Sequence, residues 1–231
     1  MTIENSAEQA IDLASPRTLP ISHQKAAHAA PLVEVEVGGR YTELMRVAFS
    51  AHQAGQRRIV LFTAPSPCAG VSYVSSAAAK ELSALVSGSI LVVEATLLEL
   101  LRSEDLQSIK TLLLKSTQQN KVNRASTDLV RRTNGAYPNP ARRSLADLLQ
   151  LMRLEFDYII IDAPALSQSD LALRLAADVD SVVLVVEANK TRTSAIAAAC
   201  RRLHTLNATV AGLVCNKRTY PIPGWIYRLI N

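Results

Sequence analysis

Between residues 59 and 215, short runs of aliphatic, β-favouring residues alternate with longer stretches of helical period. That alternation constrains the fold more than any other feature of the chain. The short runs are Ile59–Thr63, Ser89–Glu94, Tyr158–Asp162, Ser181–Glu187 and Ala208–Cys215, with helical patterns at about 73–86, 97–102, 143–154, 169–177 and 191–206. Strands separated by helices are joined by crossovers, so the pattern predicts an α/β fold: a mostly parallel sheet with helices on both faces. Composition agrees, because 48% of the residues are hydrophobic but only 4% aromatic. Such an aliphatic supply suits strands buried on both faces better than a β-sandwich.

The 231 residues suffice for one domain with a sizeable core and a tail. Residues 1–38 are polar, contain Pro16, Pro20 and Pro31 and show no sustained period, so they read as a flexible N-terminal arm ahead of a domain spanning 39–231. Tyr41 to Ala54 has a helical pattern with Leu44, Val47 and Ala48 on one face. Ser116 to Arg142 is polar, carries Tyr137-Pro-Asn-Pro140, and reads as a long mobile loop.

Several classes are excluded. Cys68, Cys200 and Cys215 show neither C-x-x-C nor His-paired spacing, which speaks against a disulfide framework or a zinc site and for a reducing cytoplasm. The N-terminus has no apolar core of a signal peptide. The longest apolar stretch, Ser89 to Leu101, is interrupted by Glu94 and Glu99, unlike a membrane span. The net charge is +5, with Arg-Arg pairs at 57–58, 131–132, 142–143 and 201–202. These pairs would attract anionic lipid or nucleic acid, or they are solvated helix ends. Their scatter and the lack of interleaved aromatics favour the second reading and make nucleic acid an unlikely partner.

Four pieces carry chemistry. Residues 57–76 run from a strand through a Pro/Gly-bearing turn into a small-residue helix, Val74 to Leu85, which is the context of a phosphate-binding loop. Gly70 and Ser72 stand where that loop needs glycine and a magnesium-binding hydroxyl. Val71 stands where it needs lysine, and Tyr73 follows. No lysine or arginine lies between Ile59 and Ala79 to compensate, and Cys68 brings a Cβ where such loops use glycine. The alternative is an ordinary βα turn.

Phe156-Asp-Tyr-Ile-Ile-Ile-Asp-Ala-Pro164 describes a buried strand that delivers the Asp162 carboxylate to its C-terminal edge, where a Walker B aspartate would hold magnesium. Asp162 as a simple cap of the next segment is the bland alternative. Ile90 to Thr96 is a similar strand ending in Glu94, a residue that positions water or metal or merely faces solvent. Gly212-Leu-Val-Cys-Asn-Lys217 places Asn216 just beyond the last strand, where an amide reads a purine edge or serves as a turn residue.

With these pieces in this order, residues 40–230 resemble the cytoplasmic bacterial tyrosine kinases of polysaccharide export (BY-kinases), relatives of the MinD/ParA deviant P-loop ATPases. Thr63 to Tyr73 aligns with their S-x-x-P-G-E-G-K-[ST]-T loop through Pro67, Gly70 and Ser72. Glu94 and Thr96 fall on their D-x-D motif, and Phe156 to Pro164 on their Y-D-[YF]-[IV]-I-I-D-[TS]-P-P strand. The resemblance implies a P-loop NTPase-like fold and ATP with magnesium as cofactors. It implies Asp162 and a vestigial Glu94 as catalytic residues, and Gly70, Val71, Ser72, Tyr73 and Asn216 around the nucleotide. Ser72 and Asp162 would lie at the metal.

The same resemblance implies a membrane co-polymerase or chain-length regulator as partner, and a cytoplasmic location, peripheral at the inner face of the membrane. Glu43 and Arg46 match two positions of an E-x-x-R-x-x-R oligomerisation helix, whose last arginine is here Phe49. The departures at Val71, Cys68, Glu94 and Thr96, and the missing C-terminal tyrosine cluster, point to a catalytically impaired member. On that expectation, ATP and magnesium are bound weakly or not at all. The competing expectation is an active ATP-dependent protein tyrosine kinase or ParA/MinD-like ATPase that draws its missing charge from another basic residue.

Overall fold

The computed structural model describes residues Leu44, Ala48, Phe49, 57–104, 106–114, 117–119, 122–128 and 143–218. The elements follow in the order β1 (Arg58–Thr63), α1 (Val71–Leu85), β2 (Ile90–Glu94), α2 (Ala95–Leu101), α3 (Leu106–Leu114), β3 (Thr117–Gln119) and β4 (Val122–Ala125). The chain continues with α4 (Leu145–Glu155), β5 (Tyr158–Asp162), α5 (Leu171–Ala176), β6 (Ser181–Glu187), α6 (Thr193–Thr205) and β7 (Val210–Asn216). They form one seven-stranded sheet in the order β3-β4-β2-β5-β1-β6-β7. Six strands are parallel, and β3 pairs antiparallel to β4 at one edge.

The expected α/β architecture with helices on both faces is what the chain adopts. Strand residues divide alternately between two cores, as the two-residue period of a strand requires. On one face Val60, Phe62, Val92, Ile160, Val183 and Val185 meet α1 and the helical residues Leu44 and Ala48. On the other Ile59, Leu61, Leu91, Val93, Ile159 and Ile161 meet α2 to α6. All six residues of β1 are buried, as are Ile159, Ile160 and Ile161 of β5. Each apolar side chain among them contributes about 1.5–3 kcal/mol of transfer free energy, so the central strands are the rigid part on which a site can be built.

Half-buried and buried polar groups fasten the end of the sheet away from the site. Asp180 accepts the Ile59 N–H at 2.6 Å and both of its oxygens accept from Arg153. Arg58 and Ser181 both donate to the Ala48 carbonyl, tying that helix to the sheet. Ser144 begins α4 through a capping box with Asp147, which satisfies N–H groups the helix leaves orphaned.

Three expectations are corrected. The segment Ser116 to Arg142 is not all loop, because β3 and β4 lie within it. The polar residues of β3 suit the edge of a sheet, where backbone pairing rather than apolar burial holds a strand, and β4 beside it buries only Val122 and Ala125. A helix, α3, stands at Leu106–Leu114 where none was expected, with Ile109, Leu112 and Leu113 buried. Asn216 is the last residue of β7 rather than a residue beyond it, because the strand runs one residue further and pairs with Glu187. The helix expected over 41–54 is represented by helical Leu44, Ala48 and Phe49. The arm over 1–38, and Glu43 and Arg46, lie outside the described residues. Among the described residues no helix is long and apolar enough to cross a membrane.

Candidate functional site

Strand β1 lies at the point where the strand order switches direction, with β5 and β2 on one side and β6 and β7 on the other. Open α/β sheets leave a crevice at the C-terminal edge of such a point. The chain leaving β1 forms the loop 64–70 there. Two bonds clamp the loop to the segment after β5: Thr63 Oγ1 donates to the Pro164 carbonyl at 2.7 Å, and the Leu166 N–H donates to the Ala64 carbonyl at 2.8 Å. Loop and Asp162 are therefore held side by side by backbone geometry.

The loop ends at Gly70, in the left-handed region with φ 87°, and α1 begins at the next residue. No side chain caps α1 and no acid occupies its first turn, so its leading N–H groups are open to an anion. Gly70 is required twice over. Its φ is one that L-residues avoid, and a Cβ there would lie 2.4 Å from Asn216 Nδ2. That Asn216 amide donates to the Ala69 carbonyl at 2.8 Å. Beside it, Lys217 Nζ donates to the Cys68 carbonyl and lies 3.6 Å from Glu187. The end of β7 thus pins two successive loop carbonyls. Cys68 itself sits at φ 64° and Lys217 at φ 58°, so the cysteine occupies a position whose backbone favours glycine.

The cleft in front of the loop has a volume of about 390 Å³, in the size range of a small-ligand site. It brings together Gly70, Val71, Ser72, Tyr73, Glu94, Thr96 and Asp162. Asn216 does not line it and acts from behind, through the loop backbone. The charged lining consists of Glu94 and Asp162, two carboxylates with no lysine or arginine. Val71 is half-buried and packs against the α1-side core.

Burial raises the Asp162 pKa above its ordinary value. A hydrogen bond with Ser72 opposes this, the Glu94 charge adds to it, and the Arg124 charge opposes it. Glu94 is not a free carboxylate: its Oε2 accepts from the Thr127 N–H at 3.0 Å and from the Thr127 hydroxyl at 3.1 Å. It anchors the chain after β4 while facing the cleft.

Open N–H groups would receive a phosphate tail, and Ser72 and Asp162 would hold a magnesium ion, which would supply positive charge against that tail. The cation that should neutralise the tail does not fit the pattern, because Val71 supplies none. Among the described residues no group of three or more His, Cys, Asp or Glu could hold a metal by itself. Any magnesium here would depend on a phosphate ligand.

Three residues of the site carry no signal in the sequence. Lys217 reaches the Cys68 carbonyl only because it is itself left-handed, at φ 58°, just after β7. Thr127 and Arg124 needed the register of β4, a strand with no apolar signature.

No protein-family model matches the sequence, and no curated protein matches it either. Solved structures do match the fold. The kinase domain of the Escherichia coli tyrosine kinase ETK aligns with a TM-score of 0.50 at 16% identity, over 74% of this chain and 72% of that one. The chimerical protein CapA2B2 aligns at 0.52 and 17% identity, covering 77% and 82%. The kinase domain of VpsO aligns at 0.51 and 22% identity, covering 71% and 86%. This chain therefore has the P-loop-type α/β fold of these kinase domains, the fold relation to which its loop and Asp162 strand pointed.

Proposed function

We propose that this chain is a tyrosine-kinase-like P-loop protein without efficient catalysis, serving as a cytoplasmic partner or regulator of exopolysaccharide or capsule polymerisation and export. The observation that carries the reading is the charge of the cleft: two carboxylates, no cation, and a valine packed against the core at the position of the loop lysine. Phosphoryl transfer is nearly all positioning and electrostatic stabilisation. The positioning parts are present and the stabilising charge is not. Replacing the lysine forfeits one charge-assisted contact, about 1.5–3 kcal/mol, in binding alone.

Each residue then has a limited role. The first N–H groups of α1 and the loop backbone would receive the phosphates, and Ser72 with Asp162 would face a magnesium ion. Magnesium, when bound with nucleotide, would neutralise phosphate charge. Gly70, held against Asn216, keeps the loop shape, while Lys217 is committed to Cys68 and Glu187 and is not free to replace the lost side chain. A fold retained without the charge is suited to contact with another protein, and the expected partner is a membrane co-polymerase or chain-length regulator. Self-association through Glu43 and Arg46 belongs to the same proposal.

The test is ATP hydrolysis and autophosphorylation by the purified chain, alone and with Asp162→Ala. The reading predicts no turnover above background in either. Turnover that Asp162→Ala abolishes would overturn it and establish an active ATP-dependent enzyme. Co-purification with a membrane co-polymerase checks the partner.

A further inference from the structure

A second groove, with a volume of about 530 Å³, runs along the flank of α1 where the helix borders β4. Tyr73, Ser76, Lys80 and Ser83 face it from α1, and Val122 and Arg124 from β4. The helical residues stand at spacings of three to four, the repeat of one helix face. Val122 and Arg124 are two apart and share a face of the strand. Val122 is buried in the α1-side core and forms the floor.

The charge here is the reverse of the loop cleft. The groove is lined by two cations and no acid. The side chains of Lys80 and Arg124 are both exposed and make no ion pair or hydrogen bond among the described residues. The Arg124 charge reaches as far as Asp162. The Ser76 hydroxyl donates to the Ser72 carbonyl at 2.6 Å, and the Ser83 hydroxyl to the Lys80 carbonyl at 2.7 Å. With their protons turned onto the helix backbone, both oxygens meet the groove as acceptors. Tyr73, 62% exposed, offers ring and hydroxyl at the end shared with the loop cleft.

Two cations with no side-chain partner among the described residues, two acceptor oxygens and an exposed aromatic ring in one groove suit a ligand with a doubly charged anionic group and a carrier bearing donor hydroxyls. We infer that this groove binds a phosphomonoester, its phosphoryl group between Lys80 and Arg124 and its carrier hydroxyls on Ser76 and Ser83. The groove adjoins the loop cleft at Tyr73, but Lys80 and Arg124 do not line that cleft, so the phosphoryl contacts do not depend on how it treats nucleotide.

The experiment is an amide NMR titration of the full chain with glucose 1-phosphate, and separately with orthophosphate. Saturable shifts at Tyr73, Ala77, Lys80 and Arg124 are expected, weakened about tenfold or more by the Lys80→Ala/Arg124→Ala double substitution. Both side chains are exposed, so the spectrum should otherwise stay folded. Tighter glucose 1-phosphate binding identifies the phosphomonoester; equal affinity would reduce the ligand to free phosphate and overturn the carrier contacts. Shifts confined to residues 66–72, no shifts, or a double variant that titrates like the parent would overturn the site itself.

Discussion

Gly70→Ala isolates the contact that shapes the loop. The added Cβ would lie 2.4 Å from Asn216 Nδ2, a distance real Cβ atoms do not tolerate, so the amide must retreat. Its bond to the Ala69 carbonyl then fails, at a cost of about 0.5–1.5 kcal/mol. Holding an L-residue in the left-handed region adds about 1–2 kcal/mol. The substitution should therefore destabilise by roughly 2–3 kcal/mol, read as a lower urea midpoint at unchanged slope. Asn216→Ala alone should cost about 1–3 kcal/mol, because it leaves a buried carbonyl unsatisfied. With Asn216 already cut back, the next atom in the way is Lys217 Cε at 3.8 Å, an ordinary contact. Gly70→Ala then costs only its backbone part, and the pair should fall short of additivity by about 1 kcal/mol. Strict additivity, or a Gly70→Ala cost under about 0.5 kcal/mol, would refute the claim that β7 pins the loop through Asn216.

Other outcomes follow from the same site. Cys68→Gly relieves a left-handed cysteine and, after the entropy glycine brings to the unfolded chain, should stabilise by about 0.5–1 kcal/mol in urea unfolding. Asp162 has a raised pKa, so its contribution to stability is fully present below its unfolded value and lost as pH rises through the folded one. Asp162→Asn should therefore flatten the decline of stability over that window and raise the melting temperature at neutral pH; an unchanged pH profile would count against the burial of that carboxylate. Asp180→Ala removes the partner of Arg153 and of the Ile59 N–H, and should destabilise by about 2–4 kcal/mol in the same assay.

How much of this was legible in the sequence depends on what each element is made of. Strands β1, β2, β5 and β6 announce themselves because strands covered on both faces need uninterrupted aliphatic runs. Thr117-Gln-Gln119, the edge strand, and Val122-Asn-Arg-Ala125, the short strand beside it, could not, since both are held through their backbones and carry no such run. In α3 the residues Ile109, Leu112 and Leu113 do hold a helical spacing, and a signal was there to be read. The loop was legible as strand, turn and helix, and the lack of any lysine or arginine between Ile59 and Ala79 was plain. What one dimension hides is the far side of the site: Lys217 and Asn216 lie nearly 150 residues from the carbonyls they hold, and Arg124 nears Asp162 only through two intervening strand pairings.

On the proposed function, the loop cleft lacks the positive charge that would hold a triphosphate. A calorimetric titration of ATP with magnesium, run side by side on the natural chain and on Val71→Lys, tests this most directly. The expected result is feeble or undetectable binding by the natural chain and a gain of roughly 10- to 150-fold with the lysine, from the 1.5–3 kcal/mol of one charge-assisted contact. Micromolar binding by the natural chain, unimproved by the lysine, would contradict it.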